Sequence, residues 1–189
     1  MNAVVHLTGD LPIALANTVR LRRGRLQDAI ETPAGLAAWL AEIAPSLRTA
    51  LPEHALTEVG EADASEARHL RDGIRSVIES QAAGEVPAEA DRERLNRHAA
   101  AAPGWPRLDW DGDPVIARVS AAAPVAAALA EIAGAAIELC CSEQRHLLSA
   151  CAAPDCIRLF AKTDPRRKWC SPDCGNRARV NRHYRNRNA

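Results

Sequence analysis

Four cysteines near one end of the 189-residue chain constrain its fold more tightly than any other feature. They stand as two close pairs, Cys151/Cys156 with four residues between them and Cys170/Cys174 with three, and thirteen residues separate the pairs. Two turns that each present two sulfurs, joined by a hairpin-sized loop, bring four thiolates together with little chain. Thiolates are soft ligands that Zn²⁺ takes at about 2.3 Å in a tetrahedron, and four of them close a structural site. The alternative is two disulfides or four unrelated buried thiols. Disulfides need an oxidising compartment, and MNAVVHLTGDLPIALANTVRLRRGR lacks the basic start, apolar run and small-residue cleavage site of a secretory leader. The spacing therefore predicts one structural zinc ion on Cys151, Cys156, Cys170 and Cys174, in a reducing, cytoplasmic setting.

Arginines follow the last cysteine at once. Residues 151–189 hold ten lysines and arginines against three acids, which leaves fourteen against twenty-one in the rest of a chain whose net charge is zero. Such asymmetry points to a polyanion at the basic end. Ile157 to Phe160 reads as a strand, Lys162 to Pro165 as a turn and Arg167 to Cys170 as the return strand, with Phe160 and Trp169 covering the metal. Cys174 falls at the start of a terminal helix, where free N–H groups favour a thiolate. On that helix Val180 and Tyr184 are expected to face the finger's core, and Arg179, Arg182, His183 and Asn186 the outside. A major groove accepts one helix, so Arg179, Arg182 and Asn186 are candidate base contacts. Arg166, Arg167 and Lys168 are candidate phosphate contacts, and Arg177, Arg185 and Arg187 complete the basic set. A solubilising tail, or one that pairs with the acidic body, is the alternative.

The run CSPDCGNRARVNRHYRNR, with RRKWC before it and CAAPDC upstream, resembles the CGNR zinc finger, named for Cys174-Gly175-Asn176-Arg177. In bacterial proteins that finger follows a helical domain called ABATE. LPIALANTV (Leu11 to Val19) is similar to that domain's opening and TPAGLAAWL (Thr32 to Leu40) to its next helix. The resemblance implies a stress-induced transcription regulator. Two departures stand out: relatives commonly have one more residue between the last two cysteines, and an acid where Ala161 follows Phe160.

The remaining chain reads as helical. Alanine enrichment favours helices, and aromatic residues are too few to build the core. Thr32 and Pro33 form a helix start, after which Leu36, Trp39 and Leu40 share a face. A long helical pattern from about His54 to Ala82, with a break near Gly60, ends at Gly84 to Pro87. A charged helix over Ala88 to Ala101 buries Leu95. Asp111-Gly112 between apolar runs marks a β-hairpin, expected to lean on the helices with its tryptophans capping the contact. The alternative role for Trp105 and Trp110 is the wall of a ligand pocket. The longest apolar helix, about Pro124 to Leu148, feeds straight into Cys151, so body and finger are expected to be joined rigidly. It is read as buried rather than membrane-spanning, because Glu131 and Glu138 would each cost about 3 kcal/mol in a bilayer. Cys140 and Cys141 are assigned to packing.

The expected fold class is mainly α: a helical domain over 1–148 with a small β-hairpin, then a treble-clef- or ribbon-like four-cysteine finger over 149–189 that ends in a basic helix. Catalysis has little support, since a closed zinc site leaves no position for water and no nucleotide or hydrolase motif occurs. The expected function is a zinc-dependent, DNA-binding transcriptional regulator, with a body that senses an unidentified small-molecule effector or forms a homodimer. A protein-interaction or RNA-binding module, and a small-molecule-binding protein without nucleic acid, are the alternatives.

Overall fold

The structure is a computed structural model that describes residues 10–22 and 24–187, with side chains from Leu11 to Tyr184. Arg23 and the side chains of Arg185, Asn186 and Arg187 lie outside the described residues. Helix α1 (Asp10–Ala16) leads into a short hairpin of β1 (Val19–Arg22) and β2 (Arg25–Asp28). The hairpin exposes Arg20, Arg22 and Arg25. Helix α2 (Pro33–Ile43) starts where the sequence places it: the Thr32 hydroxyl accepts the Gly35 N–H at 3.1 Å, and Pro33 opens the first turn. The break near Gly60 separates α3 (Glu53–Thr57) from α4 (Glu61–Ala83). The Gly60 N–H donates to the Asp63 carboxylate at 2.9 Å. At the other end Gly84 takes the left-handed conformation (φ 76°) that suits a residue without Cβ, and so stops the helix.

Helices α5 (Glu89–Ala101) and α6 (Pro124–Cys141) complete the body. The core runs through Leu15, Leu36, Leu40, Leu70, Ile74, Ile78 and Ile132, all fully enclosed. Among the described residues α6 is the one helix long and apolar enough by composition to cross a membrane. In this fold it packs at the centre, against α1, α4 and α5. Its buried Glu131 receives the backbone N–H groups of Arg48 and Thr49, both at 2.8 Å. A carboxylate in the core is tolerated because each oxygen has a donor.

Three expectations are corrected here. The apolar helix ends at Cys141 rather than near Leu148. Ser142 turns to an extended conformation, its hydroxyl accepts the Gln144 N–H, and a 3-10 turn follows over Glu143–Leu147. Cys140 packs against the core, where burial pushes its thiol up to about 11, but Cys141 is exposed. The hairpin of β3 (Gly104–Asp111) and β4 (Asp113–Ser120) is present, yet it does not lean on the helices. Only its root is anchored: the Arg118 N–H donates to the Arg48 carbonyl at 2.9 Å, and its guanidinium reaches the carbonyls of Ala102 and Ala127. Trp105 and Trp110 are 54% and 72% exposed. Five positions apart on a strand, they point to opposite faces, so they can neither cap one contact nor line one pocket.

A third hairpin joins body to finger. Strands β5 (Leu148–Ala150) and β6 (Leu159–Ala161) pair antiparallel, and their Leu148 and Leu159 are buried in the main core. Asn17, just past α1, grips the backbone of Leu159 like a neighbouring strand: its amide donates to the Leu159 carbonyl at 2.9 Å and accepts the Leu159 N–H at 3.0 Å. Arg75 of α4 ties the carbonyls of Ala16 and Ile157 together, at 2.9 Å each. Asn17→Ala leaves both Leu159 groups without a partner. It should lower unfolding free energy by about 2 kcal/mol, read by urea denaturation of the zinc-loaded chain. An unchanged midpoint would show that the clamp carries no weight in the joint.

Candidate metal centre

The β5–β6 hairpin supplies the first pair of sulfurs from its connecting loop. Pro154 and Asp155 reverse the chain between Cys151 and Cys156. Asp155 sits at φ 55°, a left-handed position that short polar side chains accept. The Cys151 N–H donates to the Arg158 carbonyl at 2.9 Å and closes the loop, while Ala152 donates to the Lys168 carbonyl at 3.0 Å and draws the second pair alongside. Those cysteines frame the start of α7 (Pro172–Arg187), where the Ser171 hydroxyl accepts the Cys174 N–H at 3.3 Å. The order is treble-clef-like: a turn with two cysteines inside a hairpin, then two more at a helix start.

All four sulfurs lie within 4.8 Å of one another. Three of the separations are 3.5 Å (Cys170–Cys174), 3.8 Å (Cys156–Cys170) and 3.8 Å (Cys156–Cys174). A tetrahedron with zinc–sulfur bonds of about 2.3 Å has edges of about 3.8 Å, so the spacing fits one zinc ion and four thiolates. Two of the sulfurs receive donors that suit negative charge, whereas burial pushes the Cys156 and Cys170 thiols up. The Arg177 guanidinium donates to Cys174 Sγ at 3.1 Å, and the Cys170 N–H to Cys151 Sγ at 3.3 Å. Burial pushes the Cys174 thiol up, but hydrogen bonds with Ser171, Cys170 and Arg177 outweigh it and bring it down to about 6. Phe160 and Trp169 pack beside the cysteines with Ala153, a cluster separate from the body's core. A Cβ on Gly175 would come within 3.2 Å of the Trp169 ring, so a residue without one leaves room for the indole.

Arg167 to Cys170 is not a return strand. Leu148 to Ala150 takes the ladder beside β6, and the Arg167 segment is held by its own side chain instead. The guanidinium lies over the Phe160 ring at 5.1 Å and donates to the carbonyls of Trp169 and Cys170 at 2.9 and 2.6 Å. Arg167 is thus engaged inside the finger, Arg177 on a ligand sulfur, and Arg179 on the Asn176 side chain. Arg166, Lys168 and Arg182 are exposed. A groove of about 470 Å³ lies between Lys168 and Trp169 on one side and Asn181 and Arg182 on the other, with no acid in its lining. Val180 and Tyr184 do not face the finger's core: they are 54% and 60% exposed. Ala178 and Asn181 take the inward positions, because the residues at Cys174 and Gly175 that touch the metal cluster set the helix's inner stripe three and four positions on.

Asn17 and Arg75 carry the site's support without having been singled out from the sequence, while Arg167 and Arg177, expected as nucleic-acid contacts, also brace the finger from within. Only Arg177, three residues after a cysteine on a helix, had a sequence signal for that role, since residues at i and i+3 meet. Its contact should matter for metal affinity, as outer contacts to ligands typically do. Arg177→Ala is expected to weaken zinc binding by about tenfold, read by competition with a chromophoric chelator. An unchanged affinity would make Arg177 a surface residue.

Comparison with known proteins agrees with this geometry. A search of the curated proteins finds no match. The family model for the CGNR zinc finger matches residues 148–187. The ABATE family model, described as "Putative stress-induced transcription regulator", matches residues 9–143. That match runs through all the body helices and takes in most of the chain, which therefore belongs to the ABATE family, with a CGNR zinc finger after the family's helical domain.

Proposed function

We propose that the protein is a DNA-binding transcription regulator with no catalytic activity, whose zinc finger docks on the duplex and whose helical body senses a small molecule. The observation that carries the reading is the groove beside the metal, where Lys168 from the finger's loop and Arg182 from α7 converge with Asn181 and no carboxylate intervenes. Phosphates select such a place because each neutralised charge releases a counterion. Arg166 and Arg179, both exposed, extend the positive surface to either side. A closed four-thiolate site holds this surface in shape without offering a coordination position for chemistry.

The body supports the sensing half of the reading through a cleft of about 640 Å³ between α1 and α2, walled by Trp39 and Ile13 and reached by Arg20 and Glu42. Arg158 of the finger lines the same cleft, so an occupant would touch both parts. A finger of this size gains affinity when doubled, and the active form is therefore a pair of chains.

Contact with about four phosphates predicts that log affinity falls against log salt with a slope of about −3 to −4. Removing Lys168 and Arg182 together, as alanines, should reduce that slope by about 2, in fluorescence-anisotropy titrations with a mixed-sequence duplex. Lack of any affinity at low salt removes the reading.

A further inference from the structure

The β3–β4 ribbon is apolar where none of the described residues covers it. Leu108, Ile116 and Trp110 are 69%, 62% and 72% exposed, and Val115 is 48% exposed. With Trp105 they present on the order of 600 Å² of apolar surface, since a tryptophan alone offers about 150–250 Å². Each face alone stays within the range of the largest apolar patches on monomeric proteins, patches that are often functional. The surface is divided between two faces. Pro106, Leu108, Trp110, Pro114 and Ile116 share one, while Trp105 and Val115 share the other with Arg107 and Asp109. A cover laid on one face would leave the other open. A neighbour placed edge to edge extends both.

The register says which edge is available. Arg118 points its N–H out of the ladder, to Arg48, so its partner Pro106 and the residues two and four along share that outward direction. Both prolines, Pro106 and Pro114, sit at such positions, where the missing N–H costs the ribbon nothing. The root of the β4 edge is occupied by Arg48 and Thr49. Along the β3 edge the N–H groups of Leu108 and Trp110 face outward, with no backbone partner among the described residues.

We propose that β3 pairs antiparallel with β3 of a second copy, about a twofold axis at Leu108, to form a four-stranded sheet across the dimer. In this register Leu108 exchanges both of its backbone bonds with Leu108 of the second copy, and each Trp110 N–H reaches the carbonyl of Pro106 opposite. Trp110 then lies against that proline on one face. On the other face each Arg107 stands opposite Asp109 of the second copy. These two side chains already pair within one strand, at 2.7 and 2.9 Å, and their spacing of two residues makes the strand self-complementary. An axis one residue further on would set Asp109 against Asp109, which cross-strand repulsion disfavours. The charge pattern thus selects both the partner and the register. Nucleic acid is a poor occupant, because Asp109, Asp111 and Asp113 crowd the ribbon's tip. The contact deepens the pairing of chains invoked above and moves it from the helical body to the ribbon.

Sedimentation equilibrium of the full zinc-loaded chain, without DNA, tests this directly, and its failure is distinct from a failure to bind DNA. The chain should form dimers at micromolar concentration. Leu108→Pro removes an outward N–H but no bond of the β3–β4 ladder, and should weaken the dimer at least tenfold. Asp109→Arg sets arginine against Arg107 and should weaken it similarly, whereas the exchange Arg107→Asp with Asp109→Arg should restore it. A monomeric wild type overturns the proposal, as does a dimer that Asp109→Arg leaves unchanged.

Discussion

Convergence of four sulfurs on one point is the interaction from which the functional end of the molecule follows. Among the described residues the finger has no apolar interior of its own apart from Phe160, Trp169 and a few small residues, and a module this small cannot hold its shape by burial alone. The metal supplies what the core lacks, because ligand binding to a site absent from the unfolded chain is itself folding free energy. Once the ligands are fixed, α7 must start at Pro172 and the loop carrying Lys168 must lie beside it. The positive groove is therefore largely a consequence of the metal site, with Arg167 bracing the loop that carries Lys168.

The finger is also continuous with the body, which sets its orientation. Leu148 and Leu159 reach from the β5–β6 hairpin into the main core, and Asn17 holds the backbone of β6 as a third strand would. Arg75 adds a bridge from α4 to the carbonyl at Ile157. The cleft that includes Arg158 opens on the same joint. An occupant there would act on the elements that aim the finger, a physical route by which a signal in the body could alter the finger's presentation.

How legible all this was depends on the range of the interactions. The sequence carried the metal ligands, because two pairs of cysteines at short spacing leave few geometries. It also carried the start of α2 and both ends of α4, because Thr32, Gly60 and Gly84 act on their immediate neighbours. Long-range choices were hidden. Nothing local says that β6 prefers Leu148 to Ala150 over Arg167 to Cys170, a preference settled by Leu148 reaching the body's core and Arg167 binding its own loop. The apolar pair Val180 and Tyr184 suggested an inward face, yet the helix's rotation was already set by Cys174 and Gly175 against the metal cluster. The tryptophans of the ribbon looked like core residues by type. Their odd spacing, which places them on opposite faces, was the better guide.

X-ray absorption at the zinc edge of the purified chain tests the central claim most directly. Four sulfur scatterers at about 2.3 Å and no nitrogen or oxygen in the first coordination sphere are the predicted result, at one zinc per chain. A mixed sulfur and nitrogen or oxygen shell, or a chain whose cysteines hold no zinc, would contradict it.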